Sequence, residues 1–224
     1  MPRTGKSPDG VKYRSLCERC NKLLLGTWYD PTLIKLAEHT RTLLESSLDL
    51  PPTVQVRSHP QRLVRSVLGH LAAQGVDRYE KGSITVPLRD YLLDPAVSMP
   101  AGLRVHYWVY PHPGRVLLRD GVICNFGENK PSMLWLMKAY PLAFAVVWDR
   151  NFNFDVTFVP RDFDRYSDLG VDDEVDLPMD LRSVPSAVWP EAPTENTALL
   201  MGKEAIFASA LPPRSRLIRV PSAK

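Results

Sequence analysis

The strongest constraint on the fold is the stretch of residues 103–149, in which apolar and polar side chains alternate with a period of two. Side chains of a β-strand point alternately to the two faces of a sheet, so this period predicts strands rather than helices. Turn-forming residues at 111–114, 120–121 and 127–131 divide the stretch and predict hairpins. We therefore expect an antiparallel sheet of about five strands, at residues 104–110, 115–119, 122–126, 133–139 and 143–149.

The first of these strands carries a row of aromatic residues. Alternation places His106, Trp108 and Tyr110 on one face of the sheet, and Tyr107 and Val109 on the other. Exposed aromatic residues on a sheet can stack on the bases of RNA, but no RNP-type motif accompanies them in this sequence. We expect the face that carries His106 to be covered by other parts of the chain.

Three helical patterns precede the sheet. Each has apolar residues three and four positions apart. Asp30 is the predicted N-cap of the first helix, and the apolar stripe of the second leaves Arg62 and Arg65 outside it. Two to three helices packed on an antiparallel sheet make the predicted fold class α+β. The predicted helices span residues 30–46, 60–75 and 88–93, and short strands are predicted at residues 11–16 and 53–57.

Cys17 and Cys20 form a Cys-x-x-Cys pair, and two thiolates at this spacing can bind one metal ion. A structural zinc site needs four ligands in a tetrahedral arrangement, so the pair supplies half of one. The missing ligands have three conceivable sources: a Cys or His brought near by the fold, a separate protein, or a second copy of the chain in a zinc-bridged homodimer. The other candidate ligands share no recognisable spacing; they are Cys124, His39, His59, His70, His106 and His112.

Two alternatives remain for the same pair. The cysteines can be reduced and packed without a metal, or they can be a redox pair. A redox pair is typically followed directly by a helix, whose N-terminus stabilises the thiolate. The first predicted helix starts only at Asp30, and Glu18 and Arg19 stand between the cysteines, which fits the redox alternative poorly.

The pair and its flanks resemble the second zinc knuckle of HNH-type endonuclease domains, which lies at the start of the closing helix of a treble clef. This resemblance implies that Cys17 and Cys20 ligate zinc, with Asn21 matching the Asn beside the last ligand. It further implies a protein that acts with nucleic acid in a bacterial or phage setting, in defence or in a mobile element. The resemblance is carried by Leu16-Cys17-Glu18-Arg19-Cys20-Asn21-Lys22, Leu25-Gly26 and Tyr29-Asp30-Pro31.

The catalytic half of the HNH family has no counterpart before Cys17. An HNH nuclease carries its catalytic His and its first metal ligands upstream of this knuckle, whereas residues 1–16 contain neither His nor Cys. The catalytic residues are therefore unknown, and we expect a protein that is non-catalytic or completed by a partner. If the chain is an enzyme, the resemblance implies a metal-dependent nuclease. The alternative is a protein–protein interaction module, an inhibitor or an assembly subunit, with a structural or vestigial metal site.

A length of 224 residues fits one large domain with small appendages. We divide the chain into a partial zinc-knuckle segment at 1–30, an α+β core domain at 31–160 and a Pro-rich extension at 161–224. The extension is predicted to be irregular and acidic, because residues 162–180 hold eight Asp or Glu. No apolar run approaches the ~18 residues of a membrane span, and we find no signal peptide, so the expected location is the cytoplasm.

Basic residues mark two candidate surfaces for nucleic acid or another anion. One lies at the start of the second helix, where free N–H groups attract anions, and the other is a basic arm near the N-terminus. The net charge of +3 permits nucleic-acid binding without requiring it. A solvated helix face is the alternative for the first surface, and a solvated charge run for the acidic residues 172–176. The first surface consists of Arg57, His59, Arg62 and Arg65, and the second of Lys12 and Arg14.

Overall fold

A computed structural model describes residues 16–74, 84–125, 130–149, 152, 154, 158, 160–192, 197–202 and 205–209. Within these ranges the chain forms three α-helices, a seven-stranded antiparallel sheet and a separate pair of antiparallel strands. The predicted α+β class is therefore confirmed. The predicted strand at residues 11–16 and the C-terminal Gly75 of the second helix fall, apart from Leu16, outside the described residues.

The N-terminal helix begins eleven residues earlier than predicted. A π-helical segment, Arg19–Tyr29, continues without a break into α1, Asp30–Leu44. Asp30 has helical backbone angles and its N–H donates to the carbonyl of Leu25, so it is not an N-cap. Its carboxylate instead accepts hydrogen bonds from Ser66 and His70 on the next helix. A tertiary partner for Asp30 replaces the local capping role that its position beside Pro31 predicts.

The second predicted helix is confirmed as α2, Pro60–Ala72, but it lies deeper than its sequence pattern indicates. Arg65 was expected on the polar side, yet only 1% of it is exposed. Close packing also involves Gly69, where an added Cβ would lie 2.4 Å from a methyl group of Leu25. The π-helical segment therefore packs closely on α2 at Gly69, and a side chain there would require the buried Leu25 to move. The third helix is confirmed as α3, Thr85–Leu93.

The sheet contains strands β2 (Arg104–Val109), β3 (Gly114–Asn125), β4 (Lys130–Ala139) and β5 (Leu142–Val147). The order of its strands is β6 (Arg161–Asp162), β2, β5, β4, β3 and β8 (Thr197–Met201), and β9 (Ile206–Ser209) also pairs with β3. Strand β2 therefore neighbours β5, so residues 111–114 join strands that are not adjacent, and the predicted hairpin there is wrong. Turn residues show that a chain reverses, but not which strand it will pair with.

Residues 120–121 do not form the second predicted hairpin turn. They lie inside β3, where the register with β4 shifts between Leu118 and Gly121. A Cβ at Gly121 would lie 2.7 Å from the carbonyl oxygen of Leu134, so the irregular strand needs a residue without a side chain there. The predicted strands at 115–119 and 122–126 are thus one strand. The turn predicted at 127–131 falls largely outside the described residues, although Asn125 pairs with Lys130 across it.

Both faces of the sheet are buried. The first core lies between the helices and one face, and includes Tyr107 and Val109. The second core lies on the opposite face, where Trp108 and Tyr110 pack with aromatic residues that follow β5 and with Trp189. The alternation predicted for β2 is confirmed, and so is the covered face that carries His106, of which 5% is exposed.

The described part of the last third of the chain is not an irregular extension. Within the described ranges it contributes four strands to the sheets. Strand β7 pairs with β1 (Thr53–Ser58), β6 pairs with β2, and β8 and β9 both pair with β3. The prediction of irregular structure was wrong because it was made from composition. Acidic residues and prolines indicate exposed side chains and turns, but they do not show whether a segment pairs with a strand far away in the chain. The four strands are β6 (Arg161–Asp162), β7 (Val175–Asp180), β8 (Thr197–Met201) and β9 (Ile206–Ser209).

A buried lysine joins this last third to the sheet. Lys138 on β4 is 1% exposed, and its ammonium group donates to the carbonyls of Ala187 and Trp189 at 2.7 and 3.0 Å. It also contacts the carboxylate of Glu191 at 2.6 Å. Burying a cation without such acceptors would cost folding free energy. These contacts therefore fix the segment that contains Glu191 against β4.

His106 is buried, and neither of its ring nitrogens has a hydrogen-bond partner among the described residues. Its ring packs against that of Phe154 in a T-shaped arrangement, with 5.3 Å between centroids. Burial, together with the nearby charge of Arg104, lowers the pKa of His106 to about 4, against a smaller opposing effect of Asp162. The histidine is therefore neutral in the folded protein at neutral pH.

Acid should destabilise the fold through His106. From pH 6.5 down to about 4, the unfolded chain binds a proton that the folded chain does not, so the free energy of unfolding decreases as the pH falls. The loss amounts to about 3 kcal/mol over this interval, since each pKa unit corresponds to about 1.4 kcal/mol. Denaturant unfolding of His106→Phe at several pH values should lack this decrease. The exposed His39→Gln control should retain it, and an unchanged pH dependence in His106→Phe would contradict the assignment.

Candidate functional site

Cys17 and Cys20 lie in the first turn of the N-terminal helix. The backbone N–H of Asn21 donates to the carbonyl of Cys17 at 2.9 Å and closes that turn. Because residues three apart lie on the same side of a helical turn, the two sulfur atoms come together, 3.0 Å apart. The backbone N–H of Cys20 also donates to Sγ of Cys17 at 3.3 Å. The result is a compact dithiol at a helix N-terminus.

The two thiols have different environments. Cys17 is exposed and Cys20 is half-buried. Hydrogen bonds from the thiol and the backbone N–H of Cys20 lower the pKa of Cys17 below its ordinary value. Burial, followed by the interaction with Cys17, raises the pKa of Cys20. Cys17 is therefore the first of the two to ionise, and the thiol of Cys20 stabilises its negative charge.

The dithiol offers two sulfur donors, and the described part of the fold brings no third metal-binding side chain to them. Among the described residues, no group of three or more His, Cys, Asp or Glu side chains is arranged to hold a metal ion. Cys124, the third cysteine of the chain, lies on β3, where it pairs with Pro131 of β4 and with Ala198 of β8. Two thiolates bound to one tetrahedral zinc at 2.3 Å are about 3.8 Å apart, so a modest rotation of the exposed Cys17 side chain would suit the pair to zinc.

The basic surface at the start of α2 is occupied by acidic side chains of the same chain. Arg57 contacts Glu174 at 3.0 Å, Arg62 contacts Asp172, and Nδ1 of His59 lies 3.3 Å from the carbonyl oxygen of Asp173. These contacts follow from the pairing of β1 with β7, which brings the acidic run alongside. The basic surface at α2 and the acidic residues 172–176 therefore compensate each other's charge. Anion binding by Arg57, His59 and Arg62 stays a prediction.

Arg65 does not belong to that surface. Its guanidinium group donates to the carbonyls of Asp94, Pro95 and Val97 at 2.9 to 3.2 Å, and it stacks on the ring of Tyr91 at 3.9 Å. A buried guanidinium with these partners has no access to an external phosphate. It joins α2 to the chain that follows α3, which is a structural role.

Lys12 and Arg14, the other predicted anion-binding residues, lie outside the described residues.

Sequence patterns did not reveal a polar cluster between α1 and α2. Oδ1 of Asp30 accepts a hydrogen bond from Ser66 Oγ at 2.7 Å and lies 3.1 Å from Nε2 of His70. Burial opposes ionisation of Asp30, but the hydrogen bonds from His70 and Ser66 prevail and lower its pKa. In a nucleophilic triad the histidine stands between the serine and the carboxylate, whereas here the carboxylate stands between the other two. The cluster therefore fixes the two helices rather than activating Ser66.

No family model, no curated protein and no solved structure matches this chain. No helix in the described part of the chain has the length and apolar character needed to cross a membrane. Fold and site together define the class of the protein: an α+β protein with a dithiol at the exposed start of its N-terminal helix.

The asymmetry of the dithiol can be measured by alkylation. Because Cys17 is exposed and has the lower pKa, iodoacetamide should modify it faster than Cys20 and at a lower pH midpoint. In the Cys20→Ala variant the stabilising thiol is lost, so the midpoint for Cys17 should rise. Peptide mapping by mass spectrometry separates both from Cys124. Equal midpoints for Cys17 in the wild type and in Cys20→Ala would contradict this geometry.

Proposed function

We propose that this chain is a non-catalytic, treble-clef-like interaction module that dimerises through zinc held by Cys17 and Cys20 of two copies. The observation that carries the proposal is the exposed dithiol, which has two donors and finds no third among the described residues. A tetrahedral zinc needs four donors, so two such pairs make a complete all-thiolate shell. One chemically identical pair from each subunit is what a two-fold symmetric dimer supplies.

The chemistry of an all-thiolate site agrees with a structural role. Zinc with four thiolates has no open position for water, so it would hold the subunits together and would not activate a nucleophile. The helix that starts at the pair supports the resemblance to a treble-clef knuckle, in which the second Cys pair lies at the start of the closing helix. A reducing compartment such as the cytoplasm would keep the thiols available for zinc.

Zinc should convert the monomer into a dimer. With zinc added to the reduced protein, native mass spectrometry should give a dimer with one metal per two chains, and chelation should return the monomer. Cobalt in place of zinc should give the intense thiolate-to-metal absorption of a tetrathiolate site. The double variant Cys17→Ser plus Cys20→Ser should lose metal and dimer together.

Cys124→Ser provides the matched control, because it removes a half-buried cysteine away from the pair and should leave the zinc-bridged dimer intact. One zinc bound tightly to each monomer would contradict the proposal, since the four ligands would then come from a single chain. Failure of the reduced protein to bind zinc would contradict it as well.

A second candidate function is binding to nucleic acid, as the resemblance to HNH domains implies. The observation that favours it is the basic arm of Lys12 and Arg14, to which the first 14 residues add Arg3 and Lys6 against one acid, Asp9. In this candidate the zinc-bridged dimer would present two arms to a duplex. The residues at α2 contribute less, because Arg57 and Arg62 already contact acidic side chains.

Fluorescence anisotropy with a labelled DNA duplex tests this candidate. Replacing the four basic residues of the arm by Gln should weaken binding and reduce its dependence on salt, since each lost phosphate contact removes about 0.9 from the logarithmic salt slope. Arg57→Gln plus Arg62→Gln is the matched control and should change binding little. Equal losses in both variants would place the interface on α2 instead.

A further inference from the structure

The dithiol is close to the geometry of a disulfide. Its sulfur atoms are 3.0 Å apart, whereas a disulfide bond measures about 2.05 Å, so closure needs an approach of about 1 Å. Both cysteines belong to one helical turn, which the hydrogen bond from Asn21 to Cys17 closes. Rotation of the exposed Cys17 side chain can therefore bring the sulfurs together without moving one secondary-structure element against another.

The structure removes one of the two objections that the sequence raises against redox chemistry, the late start of the helix. A redox pair typically lies at the N-terminus of a helix, and here the helix starts at Arg19 rather than at Asp30. The N–H of Cys20 points to Sγ of Cys17 at 3.3 Å, as expected for a sulfur that faces the free N–H groups of a helix N-terminus.

We propose that Cys17 and Cys20 undergo thiol–disulfide exchange with low-molecular-weight disulfides, Cys17 as the attacking thiol and Cys20 as the resolving thiol. Accessibility assigns the two roles. Cys17 is exposed, so a dissolved disulfide can reach it, whereas Cys20 is half-buried and its sulfur lies against Cys17. Both roles rest on the positions of the sulfur atoms.

The reaction needs one oxidant, the small disulfide, and proceeds in two displacements. Cys17 attacks one sulfur of the small disulfide, which forms a mixed disulfide at Cys17 and releases the first small thiol. Cys20 then attacks Sγ of Cys17, which forms the Cys17–Cys20 bond and releases the second small thiol. The pair loses two electrons and two protons, and the two released thiols gain them.

The exchange would also control the dimer, a consequence that rests on the proposed function. Each sulfur either binds zinc or joins the disulfide, so oxidation would remove all four zinc ligands and separate the subunits. The exchange itself requires no metal. It can therefore be tested with zinc removed, independently of dimerisation.

The test incubates the full chain with oxidised glutathione in the presence of a chelator. Samples are quenched with acid, and adducts are located by peptide mapping. The wild type should form a Cys17–Cys20 disulfide. Cys20→Ser should stop at the mixed disulfide on Cys17, and it should form this adduct about tenfold faster than Cys17→Ser forms one on Cys20, because only Cys17 is readily accessible. Circular dichroism checks that both variants fold, and Cys124→Ser is expected to react as the wild type does.

Two results would overturn the proposal. One is equal reaction of Cys17 and Cys20 in the single variants, and the other is a wild-type pair that stays reduced in excess oxidised glutathione. Zinc-dependent dimerisation measured on the same preparation separates the two proposals. A chain that dimerises with zinc but forms no disulfide overturns the exchange alone, and the reverse result overturns the zinc bridge alone.

Discussion

Strand β5 lies at the centre of the architecture, and all six of its residues are buried. A strand that is apolar on both faces requires two covering layers, because each exposed face would leave apolar surface in water. The helices provide one layer. Segments that follow β5 in the chain provide the other, which includes Phe152, Phe158 and Trp189. The late segments of the chain are therefore as necessary to the fold as the helices, although their composition is more polar.

Buried polar groups determine how these layers fit together. Arg65 binds three carbonyls beyond α3, Lys138 binds carbonyls and Glu191 on the opposite side of the sheet, and Asp30 joins α1 to α2. Each group would be costly to bury without its partners, so each favours one arrangement over its alternatives. The contact of Leu25 with Gly69 adds a steric restriction between the N-terminal helix and α2. Through these contacts the helix that begins with the dithiol is anchored to the core.

The proposed function depends on the contrast between this anchored helix and its exposed start. The charges that first suggest anion binding at α2 are compensated by the acidic run, as in the contact of Arg57 with Glu174. Cys17 and Cys20 have no comparable partner among the described residues beyond each other. The proposed zinc bridge and the proposed disulfide exchange would use the same two sulfur atoms, and both would need reduced, accessible thiols. The two proposals therefore describe alternative states of one site.

Local patterns in the sequence determined the α+β class, the bounds of α2 within a few residues, and the alternating faces of β2. These features depend on the period of apolar residues and on turn formers, which act over a few neighbouring residues. Tertiary structure alone decided that β2 pairs with β5, that Gly121 lies within a strand, and that the acidic run covers Arg57. The same holds for the helix that starts at Arg19, because Asp30 finds its partners on α2 instead of capping its own helix. Such outcomes depend on contacts between residues far apart in the chain, and no local pattern encodes the partner.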